Sequence, residues 1–288
     1  MKKKVRIIPR IDIKNNFLVK GVQLEGLRVL GDPIDFVNKY VNDGADEIFY
    51  QDIVASLYGR NSLLEIISKT ANVCSVPLIV GGGIRSIEDI ESILNAGADK
   101  VAINSAGIKN PNFLQEAVNI FGSSTIVSTV EISKIDNKYA LQIFNGREIV
   151  ENDPIKWIEE IQNIGVGEIC LTFINNEGTG KGYDLELLGL IYEKVKTQFI
   201  VHGGVGDSNH MISLLKKFKV DGFVLSSILH YHYVQRYFDE FYRDNSINDG
   251  NLEFLKNLKV PNNIKSLSLK EIKEILLKHN IEIRGLNE

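Results

Sequence analysis

Short apolar runs alternate with longer amphipathic stretches along almost the whole chain, and this alternation predicts its elements. Eight runs read as strands, at 5–12, 47–53, 77–80, 100–103, 125–132, 168–173, 198–201 and 222–225. Several are apolar nearly throughout, as parallel strands covered on both faces are. The stretches 34–43, 63–72, 87–96, 112–121 and 154–164 carry apolar residues at helical spacing. Pro33 follows Asp32 and Pro154 follows Asp153, an N-cap with proline at the first helical position. Strands and helices alternating in this way predict an α/β fold, a (β/α)8 TIM barrel.

The chain also repeats itself. Gly44-Ala45-Asp46-Glu47-Ile48 recurs as Gly165-Val166-Gly167-Glu168-Ile169, about 120 residues on. Ile79-Val80-Gly81-Gly82-Gly83-Ile84 recurs as Ile200-Val201-His202-Gly203-Gly204-Val205, and Ile11-Asp12-Ile13-Lys14 as Val130-Glu131-Ile132-Ser133, at nearly the same offset. A period of that size puts four strands in each half. Two half-barrels closed into one domain over 1–288 is the expected organisation, with an extended connection at about 233–265. Two separate small domains would leave open sheet edges that closure removes.

Composition narrows the class. The 288 residues are 44% hydrophobic and 24% charged, with a formal net charge of −4. That is a globular composition without a basic footprint for nucleic acid. Two cysteines, Cys74 and Cys170, exclude a disulfide framework and a cysteine-rich zinc site, and no metal or cofactor is expected. The basic N-terminus is followed by no signal-peptide core, and no window approaches a membrane span. The expectation is a cytoplasmic, reduced protein.

Chemistry in such barrels sits at the C-terminal ends of the strands. The first run ends at Asp12 and the fifth at Glu131. First and fifth of eight lie opposite each other, so two carboxylates should face across the mouth, suited to giving and taking a proton on one substrate. Gly81-Gly82-Gly83 ends the third run and Asn104-Ser105 the fourth; Gly203-Gly204 ends the seventh and Ser226-Ser227 the eighth. Glycine lets backbone N–H groups approach an anion closely, and hydroxyls or amides complete the grip. Two grips flanking a carboxylate pair suggest an elongated bisphosphate spanning the mouth.

These residues resemble the cyclase subunit of imidazole glycerol phosphate synthase, of the histidine-biosynthesis barrel family. The likeness runs from about Val5 to about Tyr231 and returns near 269–284. Its most specific stretches are Arg6-Ile7-Ile8-Pro9-Arg10-Ile11-Asp12, Leu18-Val19-Lys20-Gly21, Gly31-Asp32-Pro33 and Gly81-Gly82-Gly83-Ile84-Arg85-Ser86. Gly97-Ala98-Asp99-Lys100-Val101-Ala102-Ile103-Asn104 and Gly178-Thr179-Gly180-Lys181-Gly182-Tyr183-Asp184 complete them. The resemblance implies a barrel that receives ammonia from a glutaminase subunit in a heterodimer. It condenses the ammonia with a phosphoribulosyl formimino aminoimidazole carboxamide ribotide, giving imidazole glycerol phosphate and aminoimidazole carboxamide ribotide.

Carried over by residue, Asp12 matches the first-strand catalytic acid/base, and Lys20 a lysine of the mobile loop after that strand. Gly83, Asn104 and Ser105 match one phosphate site, and Gly204 and Ser227 the other. With Gly82, Gly203, Ser226 and the segment Glu177, Gly178 and Thr179, these are the expected substrate-binding residues. At the opposite face Arg6, Glu47, Lys100 and Glu168 match the ring of alternating charges that closes the family's ammonia entrance. Asp99 matches an acid facing the glutaminase.

The chain departs from the family in places. Glu131 stands where the family has aspartate, and its extra methylene moves the oxygens outward by roughly 1.5 Å, where about 1 Å of misplacement can cost about 100-fold in rate. Asn175 and Glu177 stand where two aspartates are typical. His202 replaces a small residue beside a phosphate grip, either bonding the loop or touching phosphate. Tyr233, Tyr237, Phe238, Phe241 and Tyr242 form either a packing face or a lid, and Ser268 and Glu271 a capping box. Such departures leave two rivals: a cyclase-like paralogue channelling ammonia for amidination of a surface sugar, and a phosphosugar isomerase of the same barrel family.

Overall fold

Each of the eight predicted runs is a strand in the computed structural model, which describes residues 4–54, 61–242, 255–257 and 260–284. In chain order the strands are β1 (Arg6–Lys14), β2 (Phe17–Val22), β3 (Glu25–Gly31), β4 (Ile48–Asp52), β5 (Leu78–Gly81), β6 (Lys100–Ile103), β7 (Ile126–Ile135), β8 (Lys138–Ile143), β9 (Glu148–Val150), β10 (Glu168–Phe173), β11 (Gln198–His202) and β12 (Gly222–Leu225). Eight of them, β1, β4, β5, β6, β7, β10, β11 and β12, pair in parallel in that order. Pairing of Ile8 with Val224 joins β12 back to β1 and closes the barrel. Helices cross between successive barrel strands, which is what parallel neighbours require.

The period of two along each strand sorts the interior into layers. Ile8, Phe49, Ile79, Ala102, Val127, Cys170, Ile200 and Val224, one from each barrel strand, form a buried apolar cluster. Two residues earlier on four of these strands stand Arg6, Glu47, Lys100 and Glu168. Two residues later stand Arg10, Gln51, Asn104, Thr129, Thr172, His202 and Ser226. Only β1 and β7 run one step further inside the mouth, to Asp12 and Glu131. Three strands separate β1 from β7 on either side, so the two carboxylates do stand opposite each other.

The predicted caps form. Asp32 Oδ1 accepts from the Ile34 N–H at 2.8 Å, and Asp153 Oδ1 from the Ile155 N–H at 2.8 Å, each ahead of its proline. Ser268 and Glu271 make a reciprocal capping box on the helix Leu269–Lys278. Lys273 of that helix reaches Asp46 at 2.9 Å, tying it beneath the barrel.

Two segments differ from the sequence reading. The chain after Asp12 is no loop: β1 continues to Lys14 and turns back as β2, which pairs with β3, so Lys20 lies on a β-ribbon. A second ribbon, β8 with β9, leaves β7 in the same way. The two-residue turn that joins β7 to β8, Asp136 and Asn137, has both φ angles positive, the geometry that matches the twist of paired strands.

Of the connection at 233–265, residues 243–254 and 258–259 lie outside the described residues. Its described aromatic residues pack. Tyr233 meets Tyr40 edge-on at 4.8 Å and Phe241 meets Phe36 at 4.6 Å, both on the helix Pro33–Asn42. Among the described residues no helix is long and apolar enough to cross a membrane.

Candidate functional site at the barrel mouth

Asp12 and Glu131 are both buried, 4% and 5% exposed, and a guanidinium stands beneath them. Arg10, itself buried on the interior face of β1, donates from Nε to Asp12 Oδ1 at 2.7 Å. Burial works against its charge, but Asp12 more than offsets that, so Arg10 stays protonated. Glu131 takes a different environment. Burial pushes its carboxyl up to about 7, although Arg10 and the Gly146 N–H, 3.0 Å from Oε2, favour the charged form. One carboxylate is ion-paired and the other is poised to hold a proton near neutral pH, a division suited to acid and base roles.

The Glu131 proton is held to about 7 in the fold against an ordinary 4.5. Between those values the folded chain binds more protons than the unfolded one, so stability falls as pH rises through the window and the loss is complete above it. Glu131→Gln cannot ionise. It should gain on the order of 2–3 kcal/mol over the native chain at pH 8 and nothing near pH 4, read by urea unfolding. An equal gain at both pH values would contradict the assignment.

The first anion grip is open. A cavity of about 390 Å³ lies over β4 to β7, lined by Gly82, Gly83, Asn104, Ser105 and Glu131, with Arg85 and Lys109 as cations. A side chain at Gly82 would place its Cβ 2.3 Å from the Asp52 carbonyl, and φ there is +110°, so only glycine fits. Ser105 Oγ accepts from the Phe144 N–H at 3.0 Å. Asn104 Oδ1 is buried without a partner.

The second grip is nearly shut. Gly178, His202, Gly203, Gly204, Ser226 and Ser227 line a crevice of about 10 Å³, room for one water-sized group. The β2–β3 ribbon is fastened above it. Lys20 Nζ donates to Glu177 Oε1 at 2.5 Å, both side chains buried, and the Gln23 N–H donates to the Glu177 carbonyl at 2.9 Å. Thr179 turns its hydroxyl onto the Asn176 carbonyl at 2.7 Å and does not line the crevice.

At the N-terminal face Arg6, Glu47, Lys100 and Glu168 do form an alternating ring. Arg6 bonds Glu47 at 2.7 Å and also bonds Glu168. Lys100 closes the ring at 3.3 Å to Glu47 and 3.2 Å to Glu168. Its side chain is 19% exposed, against 4–6% for the other three, so it is the member with most room to move. Asp99 is exposed, and one of its oxygens is engaged, accepting from the Leu78 N–H at 2.8 Å. Asp46 and Asp221 cap Ile7 and Phe199 in the same way, so this acid has a place in the sheet as well as a face to solvent.

The carboxylates, the two grips and the ring were all legible as candidates; Arg10, Arg85 and Lys109 were not among them. For Arg10 the signal was present, because Arg6, Ile8, Arg10 and Asp12 share one face of a strand.

The chain as a whole is similar to known proteins. The family model described as "Histidine biosynthesis protein" matches residues 6–235. Imidazole glycerol phosphate synthase subunit HisF of Legionella pneumophila is 46% identical over 203 residues, 70% of this chain and 96% of that protein. The subunit of the same name from Bacillus cereus (strain G9842) is 41% identical over 227 residues, 78% of this chain and 90% of its own. That of Sulfurisphaera tokodaii is 42% identical over 211 residues, 73% and 85%.

Proposed function

The chain belongs to the histidine biosynthesis protein family, as a cyclase-type enzyme working with ammonia from a glutaminase partner, and on that premise we propose how its residues divide the work. The substrate is an elongated bisphosphate, the phosphoribulosyl formimino aminoimidazole carboxamide ribotide, laid across the mouth. One phosphate sits in the open cavity at Gly83, Asn104 and Ser105. The other sits at Gly204 and Ser227 once the Lys20–Glu177 pair releases the ribbon. Glu131 gives its proton to the carbonyl oxygen that leaves as water when ammonia condenses with the substrate, and Asp12 takes the proton released as the ring closes and the C–N bond to the aminoimidazole carboxamide ribotide breaks. The products are imidazole glycerol phosphate and aminoimidazole carboxamide ribotide. The observation that carries this reading is the opposed carboxylate pair above a single buried guanidinium, one ion-paired and one raised to about 7.

Ammonia enters from the other end. The ring of Arg6, Glu47, Lys100 and Glu168 has no net charge, so it is stable closed and can open at one member. A glutaminase bound as a heterodimer on this face, beside Asp99, delivers ammonia there. The ring supports this reading over a phosphosugar isomerase, which handles no ammonia. The whole chain is taken as a single barrel domain.

Lys100→Ala tests the delivery. Product formed per glutamine consumed should fall several-fold in the complex with the glutaminase. The rate with added ammonium should stay close to native. Equal loss with both nitrogen sources would assign Lys100 to folding or chemistry instead.

A further inference from the structure

Arg10 touches more than Asp12. Its terminal nitrogen Nη1 lies 3.4 Å from His202 Nδ1, and Thr172 Oγ1 lies 3.3 Å from the same atom. His202 is 1% exposed and stands on the interior face of β11, two residues beyond Ile200 of the apolar cluster. A guanidinium has only N–H groups to offer and can accept nothing. The ring atom facing it must therefore carry the lone pair, which puts the imidazole proton on Nε2. That Nε2 is buried and has no partner. His202 lines the crevice between β11 and β12, and the Oγ of Ser227 in the same crevice is likewise buried without a partner. Buried donors in native proteins are satisfied, so two such groups at one crevice call for an acceptor there.

We propose that His202 is a binding residue of this second grip, donating its Nε2–H to a phosphate oxygen as a neutral ring whose tautomer Arg10 fixes. The proposal rests on the bisphosphate reading above and names the residue that distinguishes this chain's grip from one built on a small residue. Burial, with the charges of Arg10 and Lys20 and the neighbouring His230, holds the ring well below its usual pKa, which agrees with a neutral donor. The same guanidinium has Nε on Asp12 and Nη1 on His202, so seating the phosphate and orienting the carboxylate share one anchor.

Inorganic phosphate is the probe, used with the full chain. In the ¹⁵N-labelled native protein the His202 ring should read as the Nε2–H tautomer, and phosphate should shift Nε2 together with the Gly204 amide. His202→Leu should weaken binding at the Gly204 site about tenfold, the value of one good hydrogen bond on the affinity scale. His202→Gln, which keeps an N–H at nearly the same reach, should restore most of it. A proton on Nδ1 in the native chain overturns the proposal whatever the variants do. Undiminished phosphate binding in His202→Leu, with the Gly83 and Gly204 amides still responding, overturns it and leaves the two-grip reading standing. Phosphate that shifts neither amide in the native chain overturns both.

Discussion

Asp12→Asn should lower ammonia-dependent turnover at least about 100-fold, the lower end of what a general acid or base contributes. The change is nearly isosteric, and the asparagine oxygen can still accept from Arg10 Nε, now 2.7 Å from the carboxylate. What disappears is the negative charge and the capacity to take a proton. Loss of turnover with substrate binding kept, measured with ammonium so that no glutaminase is involved, would locate the defect in the chemistry. Near-native turnover would remove Asp12 from the mechanism. Glu131→Asp is the companion variant: it gives up the reach to the Gly146 N–H but restores the shorter side chain of the family pattern, so cyclisation should survive it.

Arg6→Met carries the largest expected effect on stability. Arg6 bonds both Glu47 and Glu168, and each of those carboxylates is 3% exposed. Removing one partner of a buried ion pair leaves uncompensated charge, at a cost of about 3–5 kcal/mol. Lys100, partly exposed and more loosely bonded, resembles a surface partner, and Lys100→Ala should cost under about 1 kcal/mol. Urea unfolding of the two variants at neutral pH checks the contrast. Equal costs would mean that the ring is not anchored at Arg6, and the assignment of Lys100 as its movable member would fall with it.

The barrel was legible because its evidence is local and repeated. Period-two and helical spacing mark the elements, and the internal offset carries Asp12 onto Glu131 and Gly82-Gly83 onto Gly203-Gly204. The ribbons were not read. Their strands are short, and Phe17–Val22 is buried through its middle and exposed only at its ends, with no clean alternation, although Asp136-Asn137 is a turn pair that could have announced the second. Long-range pairings leave no local mark at all. Nothing in the neighbourhood of Lys20 points to Glu177, nor in that of Arg10 to His202, because closure of the barrel brings them together.

The activity to be tested is closure of an imidazole ring with ammonia. The most direct measurement supplies the purified chain with ¹⁵N-ammonium and the phosphoribulosyl formimino aminoimidazole carboxamide ribotide and follows the label by NMR. Label should appear in the ring of imidazole glycerol phosphate, with aminoimidazole carboxamide ribotide released alongside. An unchanged ribotide at saturating ammonium, from a chain that is folded and binds it, would rule out cyclisation by this chain.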